Sequence, residues 1–326
     1  MSAPVRLTLD DVERAFRAVS AVLPPTPLRR SFALDGLGWL KLECWQPTGS
    51  FKVRGALNLL ASLSAAERAR GVVAASAGNH ALGVAFAASR VGDVRATLFV
   101  PVTAPRAKVD KLRRFPVEVR ETGETYDDAV LAAREFEAMT GAVFVHAFED
   151  VRTASGQGSL ALELLAECPA PAAILVPVGG GGLLAGIATV VKARSPRTRI
   201  VAVQPAASPA LAESLRLGRA LLTYPAGPTL ADGLAGGIGE IAYLHRDLID
   251  DVVNVPEPEI EAAIVALLAH DQVVAEASGA VGVAAVRAGL VAIEADGPIV
   301  AVVTGGNVDA RVLTRLLARH ADASPA

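Results

Sequence analysis

A chain of 326 residues, 52% hydrophobic and 20% charged, is long enough for one large or two medium domains with substantial cores. Its net charge of −3 comes from acidic and basic residues mixed along the sequence, which gives no electrostatic reason to expect nucleic acid or an anionic membrane as partner. Residues 1–10 lack a signal-peptide core, no apolar run approaches membrane-spanning length, and Cys44 and Cys168 lack metal-ligand or redox spacing, so a cytoplasmic protein with two free thiols is expected.

From about residue 39 onward, short apolar runs alternate with amphipathic stretches. Strands are predicted at 39–44, 72–75, 97–100, 143–145, 173–176, 200–203, 252–255 and 299–303, with helical periodicity at 81–90, 127–139, 158–167 and 259–269 among others. This alternation predicts parallel sheets with helices on both faces, the α/β class. So many strands overfill one ordinary sheet, which favours two α/β domains. Ligands in such folds sit outside the carboxyl ends of the strands, where strand order reverses. Four segments that follow strands carry the information.

The first is Gln46-Pro47-Thr48-Gly49-Ser50-Phe51-Lys52. Pro and Gly break the strand, Ser50 is the expected N-cap, and Lys52 falls in the first helical turn on a stripe with Ala56, Leu59 and Leu63. Desolvation and the positive helix end both disfavour the ammonium, which suits Schiff-base chemistry, although on this segment alone a lysine snorkelling to water is the preferred reading. The second is Ser76-Ala77-Gly78-Asn79-His80, where open amides at a helix start suit a carboxylate or phosphate. An ordinary helix cap with His80 at the surface is the alternative. The third, Gly179-Gly180-Gly181-Gly182-Leu183, follows a buried strand, and its missing side chains let backbone N–H groups close on a phosphate. A dinucleotide would need an acidic residue after the next strand; Gln204 stands there, so a single phosphate fits better. The fourth is Thr304-Gly305-Gly306-Asn307, which aims a small hydroxyl into the crevice or merely turns the chain.

With 156–163 (GQGSLALE), 231–233 (ADG) and 276–281 (EASGAV), these segments resemble the fold-type II pyridoxal 5′-phosphate (PLP) enzymes, most closely the threonine/serine dehydratase and serine racemase family. The motifs stand in the family's order with ordinary spacing over nearly the whole chain. The resemblance implies two open parallel-sheet α/β domains with the cofactor in the cleft between them. Residues 1–56 and 148–326 would form the large domain, and 57–147 a smaller one that closes over the substrate. It implies that Lys52 carries the cofactor as a Schiff base and acts as the catalytic base, with Phe51 beside the pyridine ring. Asn79 would meet the cofactor's 3′-oxygen, Gly179, Gly180, Gly181, Gly182 and Leu183 its phosphate, Thr304 its ring nitrogen, and Glu276 would lie near the ring. Ser76, Ala77, Gly78, Asn79, His80 and Gln157 would receive the substrate.

The implied reaction is β-elimination from an L-hydroxy amino acid of the threonine/serine type, giving a 2-oxo acid and ammonia. The implied partners are a small-molecule amino acid and a second copy of the chain in a homodimer. Departures from the family pattern refine this. Racemisation needs a second acid/base, and Ala77 stands where serine racemases place a serine. The divalent-cation site of part of the family is expected to be lost, because Gln204 and Ala210 occupy its carboxylate positions. Ser155 replaces an alanine and is expected to alter the substrate pocket. Val53 follows the lysine where cysteine-synthase-like enzymes usually carry an acid. No regulatory domain is expected after the last helix. Amino-acid racemisation, and dehydration of 3-hydroxyaspartate or phenylserine, remain as alternatives.

Overall fold

The computed structural model describes residues 5–36, 38–292 and 297–320. Ten strands lie among them, in chain order β1 (Leu28–Arg30), β2 (Gly38–Leu42), β3 (Val72–Ala75), β4 (Ala96–Val100), β5 (Glu118–Glu121), β6 (Val143–Phe144), β7 (Ala173–Pro177), β8 (Arg199–Pro205), β9 (Asp251–Val255) and β10 (Ile299–Val303). They form two sheets, ordered β1-β2-β10-β7-β8-β9 and β5-β4-β3-β6. Every pairing is parallel except that of β1 with β2.

Each sheet is buried on both faces, which explains the continuous apolar runs of its strands. In the larger sheet Ile174, Val176, Val300 and Val302 pack against the helices Val151–Glu167 and Gly182–Arg194. Leu175, Ala301 and Val303 point the other way, onto Glu257–Asp271 and Ala277–Arg287. In the smaller sheet Val72, Ala74 and Leu98 meet the helices Lys52–Ala61 and Asn79–Val91, while Val73, Ala75 and Phe99 meet Tyr126–Thr140.

Strand order reverses once in each sheet. The chain runs outward from β7 to β8 and β9 while β10 lies on the other flank of β7; it runs from β3 to β4 and β5 while β6 lies on the other flank of β3. The crevices expected of α/β sheets therefore open after β7 and β10, and after β3 and β6.

The helix Lys52–Ala61 lies between the two systems, packed on Asn79–Val91 of the smaller sheet and Val151–Glu167 of the larger. Its fit depends on glycine. A methyl at Gly156 would lie 2.6 Å from the Arg54 carbonyl oxygen, and one at Gly158 would lie 2.8 Å from that of Gly186. Main chain thus meets main chain from the Lys52 helix through Val151–Glu167 to Gly182–Arg194. A closed set of charges pins the same helix. Arg54 donates to Glu43 Oε2 at 2.7 Å and to Glu163 Oε1 at 2.7 Å, and Lys41 donates to Glu163 Oε2 at 3.0 Å. All four are buried, with two cations facing two anions. Burial favours the neutral acid at Glu43, but the charge and hydrogen bonds of Arg54, helped by Thr26 and Lys41, outweigh it and hold its pKa below the ordinary carboxylate value.

Candidate active site

The first crevice residue is Lys52, at the first turn of its helix. Its Nζ donates to the Ala147 carbonyl oxygen at 3.1 Å and lies 5.1 Å from the Phe51 ring centroid. The residue as a whole is half-buried, yet around its amine burial dominates. Burial brings the pKa down to about 8, against the opposing pull of Glu276. The amine is thus largely stripped of compensation and far closer to its reactive neutral form than a free lysine. Ser50 does not cap this helix. Phe51 occupies the N-cap position with no side-chain cap bond, because residues 50–51 are bonded to the end of β10: Ser50 bridges Gly305, and the Phe51 N–H donates to the Thr304 carbonyl at 3.0 Å. The buried Ser50 hydroxyl has no partner among the described residues.

Gly179–Leu183 forms the turn from β7 into the helix Gly182–Arg194. Gly181 adopts φ +83°, a left-handed conformation that only glycine takes up at low cost, and the helix has no side-chain cap. Among the described residues, no acceptor faces the backbone N–H groups of residues 179 to 184. A side chain at Gly180 would strike the Phe148 ring, and one at Gly181 would strike Ala242. The run is therefore small enough to be hemmed in while its amides stay open, which is the arrangement a phosphate requires.

A second set of open amides lies after β3. The Ser76 N–H is used by Phe99 in the sheet, and Ser76 Oγ accepts from the Gly78 N–H at 3.1 Å. The N–H groups of Ala77, Asn79, His80 and Ala81 face no acceptor among the described residues, and the helix Asn79–Val91 lacks a side-chain cap. The His80 side chain is turned away from this crevice. It is buried, its Nε2 bonds the Val145 carbonyl oxygen at 2.8 Å, and burial, reinforced by Lys52, lowers its pKa to about 3. The imidazole is neutral, and its Nδ1 is buried with no partner among the described residues.

Asn79 joins the two crevices. Its Nδ2 donates to Glu276 Oε1 at 2.6 Å, and its Oδ1 accepts from Asn307 Nδ2 at 2.7 Å; Asn307 also donates to the Thr48 carbonyl at 2.8 Å. Burial raises the Glu276 pKa to about 7, with Asp232 adding to the rise and Asn79 opposing it. Thr304 is buried beside this network, and its Oγ1 makes a single long bond, 3.3 Å, to the Ser278 carbonyl.

Lys52, Phe51, Asn79, the glycine run, Glu276 and Thr304 thus gather at the carboxyl ends of β2, β3, β7 and β10. Two of the expected residues are tied into the scaffold. Gln157 is 1% exposed; its Oε1 accepts from the Gly55 N–H at 3.1 Å and braces the Lys52 helix, while its buried Nε2 has no partner among the described residues. Ser155 donates to the Val151 carbonyl at 2.7 Å within its own helix, which leaves its oxygen only as an acceptor. Sequence reasoning missed Asn307, Phe148 and the Ala147 carbonyl. Asn307 closes a motif already singled out; the other two follow β6 at the strand-order reversal and had only that position as a signal.

Two α/β sheets, with a sheltered lysine facing open amides at their strand-order reversals, define a cofactor enzyme that works through an amine and an anion cradle. The family profile described as "Pyridoxal-phosphate dependent enzyme" matches residues 19–305. An L-threonine ammonia-lyase of Thermotoga maritima is 43% identical over 95% of this chain and 78% of its own length. A serine racemase of Oryza sativa subsp. japonica is 35% identical over 94% of this chain and 92% of its own. The solved structure of maize serine racemase superposes with a TM-score of 0.89 at 32% identity, covering 98% of this chain and 99% of that one. The chain belongs to the pyridoxal-phosphate-dependent enzymes, of fold type II. Its residues fit that cofactor, with a depressed lysine for the aldehyde and six consecutive unpartnered amides for the phosphate. Among the described residues no helix is long and apolar enough to cross a membrane, and no cluster of three or more His, Cys, Asp or Glu could hold a metal.

Proposed function

We propose that this enzyme is an ammonia-lyase that dehydrates an L-hydroxy amino acid of the threonine/serine type to a 2-oxo acid and ammonia. The single observation that carries the site assignment is the sheltered Lys52 amine beside two separate sets of open amides, one for a phosphate and one for a carboxylate.

Bound there, pyridoxal phosphate supplies an aldehyde that condenses with amines and a conjugated ring that delocalises the electron pair left at Cα. Lys52 would hold it covalently, residues 179–183 its phosphate, Phe51 one face of the ring, Asn79 the 3′-oxygen and Thr304 the ring nitrogen. The long Thr304 bond is readily exchanged for a ring acceptor, and a hydroxyl there leaves that nitrogen unprotonated. The amides of Ala77, Asn79 and His80 orient the substrate carboxylate, with Ser76 and Gly78 shaping their loop. Once the substrate amine has taken its place on the aldehyde, the freed Lys52 amine would take the Cα proton; the Cα–H electron pair would form the Cα–Cβ double bond as the β C–O bond breaks, and the proton Lys52 has taken would pass to the departing hydroxyl. The enamine so released hydrolyses to the 2-oxo acid and ammonia. Residues 57–147 would close over the bound amino acid and exclude water.

Racemisation is disfavoured because Ala77 offers only a methyl and an N–H where a second proton donor would stand. Resemblance to the family further implies a homodimer, which sedimentation of the purified protein tests. Purified enzyme incubated with L-threonine, L-serine, D-serine, 3-hydroxyaspartate and phenylserine should release 2-oxo acid and ammonia from an L-hydroxy amino acid. Accumulation of D-serine from L-serine with little pyruvate would reject the lyase reading.

A further inference from the structure

Gln204 lies near the carboxyl end of β8, 0% exposed, and its carboxamide works in both directions. Nε2 donates to the Val178 carbonyl oxygen at 3.2 Å, while Oε1 accepts from the N–H of Leu211 at 2.9 Å and of Ala212 at 3.4 Å. Val178 immediately precedes the glycine run, and its own N–H is held by the Val203 carbonyl at 2.9 Å. Both backbone polar groups of the last residue before the cradle are therefore fixed from residues 203–204. The helix Ala210–Leu217 lacks a cap from its own N-cap residue, so Gln204 also supplies the acceptor for its first amides.

We propose that Gln204 is a positioning residue for the glycine cradle, orienting the open amides of residues 179–183 toward the cofactor phosphate through the Val178 carbonyl. This rests on the reading of that run as the phosphate site. Chemistry singles out the carboxamide. A carboxylate of the same shape accepts from Leu211 and Ala212 but meets the Val178 carbonyl oxygen with another acceptor, unless it is protonated. A thioether of similar length fills the space and serves neither side.

The test compares apoprotein of the natural sequence with Gln204→Glu and Gln204→Met, titrated with pyridoxal 5′-phosphate and with pyridoxal, which shares the aldehyde and lacks the phosphate. Both variants should bind pyridoxal 5′-phosphate about tenfold more weakly, the cost of one buried group left unpaired, while pyridoxal binding changes by less than about twofold. Burial raises the pKa of the introduced acid, so its neutral form grows as pH falls. The deficit of Gln204→Glu relative to the natural protein should therefore shrink between about pH 8 and about pH 6, and that of Gln204→Met should persist. Unchanged phosphate-ester affinity, equal losses for both aldehydes, or apoprotein variants that fail to fold would each overturn the positioning role alone. A natural apoprotein that does not prefer pyridoxal 5′-phosphate over pyridoxal would overturn the cradle reading, and this inference with it.

Discussion

Lys52 and Arg54 stand two residues apart on one helix, and the protein treats their charges in opposite ways. Arg54 is enclosed by Glu43 and Glu163 with every bond made, whereas Lys52 has one carbonyl, an aromatic face and a distant carboxyl that is itself half-neutral near pH 7. Burial is common to both; pairing is not. A paired buried cation locks its helix in place, and an uncompensated one loses its proton and becomes a nucleophile and base. The rigid neighbour lets the reactive one tolerate its deprivation, since the helix cannot shift to bring Lys52 to a partner.

Exchanging these roles should break the contrast cleanly. Lys52→Ala should lower turnover by at least about 10³-fold while changing stability by less than about 1 kcal/mol, as measured by 2-oxo acid release and by chemical denaturation. Arg54→Met should do the converse, costing about 3–5 kcal/mol of folding stability because it strands buried carboxylates. An Arg54→Met protein with natural stability would show that the network does not pin the helix. The subtlest change is Glu276→Gln. Capture of added pyridoxal phosphate by natural apoprotein should quicken as pH rises through about 8, because the neutral amine is the reactive form. Glu276 raises the Lys52 pKa, so removing its charge should move that rise to lower pH; stopped-flow absorbance would register it, and a shift to higher pH would refute the coupling.

The sequence pattern revealed the architecture because the inner strands of both sheets are parallel and covered, so they are uninterrupted apolar runs; 72–75 and 299–303 match β3 and β10 residue for residue. It missed β1 and β5 for the complementary reason. Leu28–Arg30 and Glu118–Glu121 are short edge strands carrying charges, with no apolar face to announce them. The strand predicted at 39–44 runs two residues too far: Glu43 and Cys44 belong, with Trp45, to a 3₁₀ turn from which Glu43 meets Arg54. Lys52, Asn79, the glycine run and Thr304 could be singled out because their motifs follow strands, whereas Glu276 follows the helix Glu257–Asp271 and was indicated only by the family resemblance. What a side chain does on arrival was not legible. Gln157 and the His80 imidazole carry polar groups suited to a substrate, and only tertiary contact reveals that a backbone N–H holds one atom of the first and a carbonyl one atom of the second, leaving the other atom of each without a partner among the described residues.

The glycine contacts that run from Arg54 through Gly156 and Gly158 to Gly186 act as a gauge block between the Lys52 helix and the helix that follows the glycine run, the two proposed anchorages of the cofactor. On that proposal, aldehyde end and phosphate end would be spaced by peptide groups in direct contact, with no side chain intervening to be lengthened or shortened by mutation. Residues on the crevice walls are therefore free to drift and to admit new amino acids without altering the cofactor's span. One methyl inserted into the gauge would do the reverse, leaving substrate selectivity intact and the cofactor misfitted.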